Sequence, residues 1–341
     1  MIRFDSDYTE GCIPEILTAL TNSNDEQTIG YGKDDHCLNA AKLIKQAIKH
    51  DDADIHFMVG GTQTNIAVIT AILKHYQGAI CAESGHINAH ETGALEAVGH
   101  KCLTLTTSNG KITAEQVDTL IQNHYNDASA EHTVQPGIVY ISFPTESDTL
   151  YSKQELTELY AVCQTHNIPL FIDGARLGYG LMAKNNDMTF ENIANLCDVF
   201  YIGGTKVGAL FGECIVILND LYKKDFRYSI KQHGGMLAKG RMLGIQFEEL
   251  FKDNRYLTIS KHAIDMADIL TEGFQSKGYS FFFPAETNQL FPIFENIKLE
   301  ELSQEFAFTP WIKINETHTV VRFVTSFATK RKNVEYLLTK I

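Results

Sequence analysis

The sequence predicts an α/β protein with a mostly parallel, seven-stranded sheet covered by helices on both faces, followed by a smaller α+β unit. Two observations carry this expectation. Short apolar runs alternate with segments whose apolar residues recur at helical spacing, and from about residue 236 that alternation gives way to a different pattern.

The seven runs are IHFMV (55–59), GAICA (78–82), KCLTLT (101–106), GIVYISF (137–143), PLFID (169–173), DVFYIG (198–203) and ECIVIL (213–218). Between several of them lie helical patterns: NIAVITAILKHY (65–76), SKQELTELYAVCQTHN (152–167) and TFENIANLCD (189–198). Strand, helix, strand, repeated, implies parallel pairing with both sheet faces buried. Such sheets collect ligand sites at the carboxyl ends of their strands. The glycines of QHGGM mark a boundary between a large unit, 1–235, and a small one, 236–341. In the small unit a long helical stretch (237–278) leads into FFFPAETNQLFPIF, then WIKI, TVVRFVTSF and the amphipathic KRKNVEYLLTKI.

The chain has 341 residues, 44% hydrophobic and 21% charged, enough for a sizeable core. A formal net charge of -13 argues against a nucleic-acid partner, whose affinity rests on clustered Lys and Arg. Seven scattered cysteines form no CxxC pair and mostly lie in apolar runs, which suits reduced core residues rather than disulfides or a zinc site. The N-terminus MIRFDSDYTEG lacks a signal-peptide core, and no apolar run approaches the roughly 20 residues that span a bilayer. The expectation is a soluble, cytoplasmic protein with no membrane partner.

Three constellations sit at predicted strand ends. GGTQTN (60–65) follows one strand and opens a helix, so its free N–H groups and the helix dipole favour an anion such as phosphate. Its bland reading is a glycine turn with no ligand. In FIDGARLGYG, Asp173 closes a strand and Arg176 lies on the next turn; the bland reading is an Asp173–Arg176 pair that ties the turn. In YIGGTKVGALFG, Lys206 sits alone in an apolar run, where an amine loses its proton more readily and becomes a nucleophile for an aldehyde. A phosphate cup, a carboxylate and an amine match the three handles of pyridoxal 5′-phosphate (PLP): phosphate, pyridine nitrogen and aldehyde.

FIDGARLGYG followed by GGTKVGALFG resembles the L-threonine aldolase and β-eliminating lyase group of PLP enzymes, with the aspartate aminotransferase fold, fold type I. FDSDYTEG, IGYGKDDHCLN, GGTQTN, ESGHINAHETGA and TVVRFVTSFATKRKNVEYLL extend the resemblance over nearly the whole chain. It implies that Lys206 carries the cofactor as a Schiff base and that Asp173 pairs with the pyridine nitrogen. Gly61 and Thr62, with Thr205 beside the lysine, would bind the cofactor. His86 would stack on the ring and act near the substrate hydroxyl. Arg176, Arg322 and Ser6 would grip the substrate carboxylate, Arg176 lying within cofactor reach as well. Tyr31 matches an active-site tyrosine often supplied by the partner subunit, and Lys231, Lys239 and Arg241 are candidates for a second phosphate contact. A homodimer or homotetramer, with the active site at the subunit interface, is implied too.

His86 and His90 are four apart, a spacing that can bind metal on a helix, but no third ligand lies nearby and no metal is expected. The chain departs from the family in two places. PTESD (144–148) replaces an Asn-Thr-His stretch in the region that recognises the substrate side chain and hydroxyl, and Thr205 replaces the commoner serine. The expected reaction is cleavage of the Cα–Cβ bond of a β-hydroxy-α-amino acid to glycine and an aldehyde, with His86 taking the hydroxyl proton directly or through water. The alternative with the same cofactor is β-elimination from a β-substituted amino acid. A nucleotide-binding or non-catalytic α/β protein is the reading from another class; neither GxxxxGK[ST] nor an acid-followed GxGxxG is present.

Overall fold

The computed structural model describes all 341 residues. Seven strands form the large sheet: β1 (Asp54–Met58), β2 (Gln77–Ala82), β3 (Cys102–Leu105), β4 (Gln135–Ser142), β5 (Leu170–Asp173), β6 (Val199–Gly203) and β7 (Glu213–Ile217). Each expected run is a strand to within two residues at either end. Their spatial order is β1-β7-β6-β5-β4-β2-β3. All pairs from β6 to β3 are parallel, whereas β7 runs antiparallel to both β6 and β1. The physical reason is loop length: residues 204–212 are too few for the crossover that parallel neighbours need, so the chain folds straight back.

Strand alternation divides the side chains between two cores. Ile80, Val139, Ile141, Leu170, Ile172, Phe200, Ile202, Cys214 and Val216 face one way, into a core shared with helices Asp35–Ile48, Lys153–Thr165 and Arg241–Phe251. Their neighbours Ala79, Cys81, Ile138, Tyr140, Phe171, Val199, Tyr201, Ile215 and Ile217 face the other way, against Gly61–Ile72 and Phe226–Gln232. With both faces buried there is no polar side to write into the sequence, which is why the strands read as continuous apolar runs.

A third core, including Met266, Leu270, Phe274, Phe294, Phe323 and Leu337, lies in the C-terminal region, and Phe4 of the N-terminal segment joins it. Residues Ile2–Arg3 pair in parallel with Phe306–Ala307. The long helical stretch expected over 237–278 is interrupted. Helix Arg241–Phe251 ends, Asp253 and Asn254 take positive φ, and helix Arg255–Ser276 begins. Asn and Asp tolerate the left-handed region better than most residues, so DN is a natural break. All seven cysteines are free, six of them buried. No helix is long and apolar enough to cross a membrane.

Candidate active site

A cleft of about 590 Å³ opens at the carboxyl ends of the parallel strands. Gly60, Gly61, Thr62, His86, Asp173, Arg176, Thr205, Lys206 and Arg322 all line it. Most of the candidates, spread over more than two hundred positions of sequence, therefore meet in one place.

The floor is built from β1, β5 and β6. Helix Gly61–Ile72 starts directly after β1, with Gly60 as its cap residue and no side chain capping the first turn. The first N–H groups are thus left for a ligand, and the dipole's positive end points the same way. A methyl group on Gly61 would stand 3.2 Å from the Tyr201 hydroxyl, so glycine keeps the cup open. Thr205 is fixed by the turn between β6 and β7, accepting from Gly212 N at 3.0 Å.

Asp173 is buried at the end of β5, on the same sheet face as Tyr140 and Tyr201. Tyr140 donates to Oδ2 at 2.6 Å, Asn65 Nδ2 donates to the same oxygen at 3.2 Å, and Ala175 N–H donates to Oδ1 at 3.0 Å. Burial alone would push this carboxyl's pKa up; the charge of His86 and the hydrogen bonds from Tyr140, Tyr201 and Ala175 outweigh it and hold the group below the usual carboxylate range. Asp173 therefore stays ionised, ready for a protonated nitrogen.

Lys206 is held by its backbone: the Tyr179 hydroxyl donates to Lys206 O at 2.5 Å. Burial and then the charge of Arg176 lower the amine's pKa, against the opposing pull of Asp7, Asp173 and Glu213. Glu213, the first residue of β7, accepts from Gly204 N at 3.1 Å, and burial pushes its pKa up to about 8.

His86 opens a short helix after β2. Its Nδ1–H donates to Glu91 Oε1 at 2.7 Å, and Asn65 Nδ2 donates to that same oxygen at 2.7 Å. Burial lowers the imidazole's pKa, but the Glu91 hydrogen bond and the charge of Asp173 more than reverse this, so it is raised. Asn65 thus links the carboxylates of Glu91 and Asp173. Glu146 accepts from Ser142 Oγ at 2.6 Å and from His86 N–H at 3.0 Å, while Asp148 ties its loop to the backbone of Glu286, Thr287 and Gln289.

The two arginines differ. Arg176 does not pair with Asp173; it makes a two-point ion pair with Asp7, Nε to Oδ2 at 2.6 Å and Nη2 to Oδ1 at 3.1 Å. Arg322 is tied only by long contacts, Nη1 to Gln289 Oε1 at 3.3 Å and Nη2 to Asp5 O at 3.2 Å, and its guanidinium lies 5.1 Å from the Trp311 ring centroid. Arg322 Nε, Gln289 Nε2 and Ser6 Oγ are buried donors without a partner. Unpaired buried donors suit a ligand carboxylate.

Ser6, Tyr31, Lys231, Lys239 and Arg241 stand apart from the cleft lining. Ser6 lines a different pocket with Phe4, Ser326 and Asn333. Tyr31 is 47% exposed, with positive φ and Lys231 Nζ 5.3 Å from its ring centroid, in a surface pocket shared with Ile29, Arg227 and Tyr228. Arg241 donates to Glu26 O and to Asn24 O, away from the cleft. No cluster of three or more His, Cys, Asp or Glu side chains is arranged to hold a metal.

Residues not singled out from the sequence are Asp7, Asn65, Tyr140, Tyr201, Glu91, Glu213, Gln289 and Trp311. Tyrosines inside apolar strands were a usable signal, since a buried phenol needs a partner. So was Glu91, five residues after His86. For Asp7, 169 positions from its partner, there was none.

The uncapped helix start, the ionised buried carboxylate and the buried amine fit a ligand that offers a phosphate, a ring nitrogen and an aldehyde. Residues 4–296 match the family model described as beta-eliminating lyase. The low specificity L-threonine aldolase of Pseudomonas aeruginosa is 29% identical over 292 residues, covering 85% of this chain and 83% of that protein. The threonine aldolase structure from Leishmania major superposes with a TM-score of 0.97 at 42% identity, covering 99% of this chain and 98% of that one. Aspartate aminotransferase of Thermus thermophilus, 14% identical with a TM-score of 0.71 over 100% of this chain and 90% of its own, shares the fold. The fold is the expected fold type I, that of PLP-dependent enzymes. With most of its length matched and its cleft assembled from that family's motifs, this chain belongs to the beta-eliminating lyase family.

Proposed function

We propose that the protein is a PLP-dependent carbon-carbon lyase that cleaves β-hydroxy-α-amino acids such as L-threonine, L-allo-threonine or phenylserine to glycine and an aldehyde. The observation that carries this is the placing of Lys206, Asp173 and the Gly60–Thr62 cup around one cleft that also holds Arg322 and His86. The relatives named above support the reaction class.

When bound, the cofactor supplies an aldehyde that joins an amine and a protonated ring that draws electrons from a bond broken at Cα. The protein's residues do the rest. Lys206 Nζ, a buried amine with a lowered pKa, would hold the cofactor through its aldehyde carbon. Asp173, buried and ionised, would keep a proton on the ring nitrogen, because a charge pair in a dry site is worth far more than in water. Gly61, Thr62 and Thr205, which line the cleft, would hold the phosphate. Arg322, with Arg176 in the same cleft lining, would orient the substrate carboxylate so that the Cα–Cβ bond is the one set to break. His86, which lines the same cleft, would lie against the cofactor ring and act on the β-hydroxyl, directly or through water.

Absorbance of the purified protein tests this. A visible band in wild type, abolished by borohydride and absent or altered in Lys206→Ala, supports the linkage; a colourless protein that gains no band with added PLP overturns it. Release of glycine and aldehyde from a β-hydroxy-α-amino acid separates aldol cleavage from β-elimination, which gives pyruvate and ammonia from a β-substituted alanine.

The proposal extends to assembly and location. A homodimer or homotetramer is supported by the exposed Ile29, Tyr31 and Tyr228 on one surface, and light scattering checks it. Seven free cysteines support a reducing, cytoplasmic setting. Two units, 1–235 and 236–341, are supported by the separate C-terminal core, with helix Arg241–Phe251 of the second packing onto the sheet of the first and Phe4 of the first joining the core of the second.

A further inference from the structure

We propose that Glu146 is the group that accepts the β-hydroxyl proton, with His86 holding the oxygen beside it. This rests on the cleavage reaction proposed above.

Three observations carry it. First, Glu146 lines the same cleft as Lys206, Asp173 and Arg322, and it follows β4, whose last residue, Ser142, is the register partner of Asp173. Second, its two oxygens differ. Oε1 is fixed by Ser142 Oγ at 2.6 Å and His86 N–H at 3.0 Å, whereas Oε2 has no partner in the protein. One oxygen is an anchor and the other is available. Third, no Lys or Arg lies within ion-pair distance of it, so nothing locks the carboxylate in its charged form.

His86 is differently placed. Its Nδ1–H is bound by the buried Glu91, which favours the imidazolium. An imidazolium donates hydrogen bonds from both nitrogens and has no lone pair with which to take a proton. It is suited to gripping the substrate oxygen. A carboxylate is suited to removing the proton.

The step balances. Glu146 Oε2 takes the hydroxyl proton, the O–H electron pair becomes the second bond of the aldehyde carbonyl, and the Cα–Cβ bond breaks with its pair left on Cα. Cα then takes up a proton to give glycine, and Glu146 returns its proton to solvent once the aldehyde has left.

The titratable groups facing Glu146 are Asp173 from β5, His86 from the helix after β2, Cys81 on β2, Tyr140 on the strand that precedes it and Tyr151 just downstream. Burial, and then the charge of Asp173, raise its pKa against the hydrogen bond from Ser142 and the charge of His86. The active form is the deprotonated one, so cleavage rises with pH through that raised value.

Glu146→Gln separates this role from a structural one, because the amide oxygen still accepts from Ser142 and from His86 N–H. Two rates are measured on PLP-loaded enzyme: aldehyde release from phenylserine, and exchange of the glycine Cα hydrogen in D₂O followed by proton NMR. Exchange needs Lys206 and the cofactor but no β-hydroxyl. The expected result is a loss of aldehyde release of about 100-fold or more, with the rising pH limb gone and exchange within about twofold of wild type. Partial recovery in Glu146→Asp supports the assignment further. Wild-type cleavage in Glu146→Gln, or an equal fall in both rates, overturns it. Wild-type enzyme that exchanges glycine yet releases no aldehyde overturns the proposed function itself, a failure read without any variant.

Discussion

Asp7 and Arg176, 169 residues apart, are joined by two hydrogen bonds of 2.6 and 3.1 Å, with the carboxylate side chain fully buried. The pair clips the N-terminal segment to the turn after β5, near enough for both charges to act on the Lys206 amine. Asn288 adds a third hydrogen bond to Asp7, at 3.0 Å.

Removing one partner leaves the other charge buried. Asp7→Ala should cost about 3–5 kcal/mol, seen as a lower urea midpoint. Burial pushes the Asp7 pKa up, but Arg176 and Lys206 outweigh it and the folded value is depressed. The pair's contribution is therefore present above the unfolded carboxylate pKa and lost as pH falls through the folded one. The gap between wild type and variant should shrink as pH falls below about 4 and through the depressed folded value; a constant gap down to the acid transition would sink this account.

Arg322→Ala removes a guanidinium with only long protein contacts. Charge-assisted hydrogen bonds contribute about 1.5–3 kcal/mol, so kcat/KM should fall roughly 10- to 100-fold, mostly through KM. The PLP absorbance should be unchanged. A fall confined to kcat would contradict a carboxylate-holding role.

Glu91→Gln should lower the His86 pKa, since the Glu91 hydrogen bond is the largest influence raising it. The wild-type pair's stabilisation is complete below the unfolded histidine pKa and is lost as pH rises through the higher folded value. Ring-nitrogen NMR reads the change directly. Activity should drop roughly 10- to 100-fold, as when other buried partners that orient a histidine are removed. An unmoved His86 titration would show that Glu91 does not govern it.

Gly174→Ala puts a methyl carbon 1.9 Å from Tyr201 O, backbone against which no side chain can yield. Overpacking of this kind costs about 3 kcal/mol or more, and here it also displaces Asp173. The variant should unfold earlier and hold PLP more weakly. A variant as stable as wild type would show that β5 and β6 approach less closely than this.

Much of the fold was legible. Runs such as PLFID and DVFYIG are apolar on both alternating faces, so a sheet covered twice was the only consistent reading. The lone Lys206 and the terminal Asp173 stood out because charge in an apolar run needs a reason. The direction of β7 was not legible from its composition, since ECIVIL is equally apolar in either sense. The partner of Arg176 was not legible either. Asp173, three residues away, was the obvious candidate, but its oxygens are taken by Tyr140, Asn65 and the Ala175 N–H.

By itself the sequence determined the strands, the glycine cup, and which residues carry unusual chemistry, because hydrophobic period and the cost of buried charge are local properties of the chain. Tertiary structure alone decided the pairings: Asp7 with Arg176, Asn65 between Glu91 and Asp173, and Glu146 beside His86. Ion pairs and hydrogen bonds form over about 3 Å of space and carry no mark of their separation along the chain.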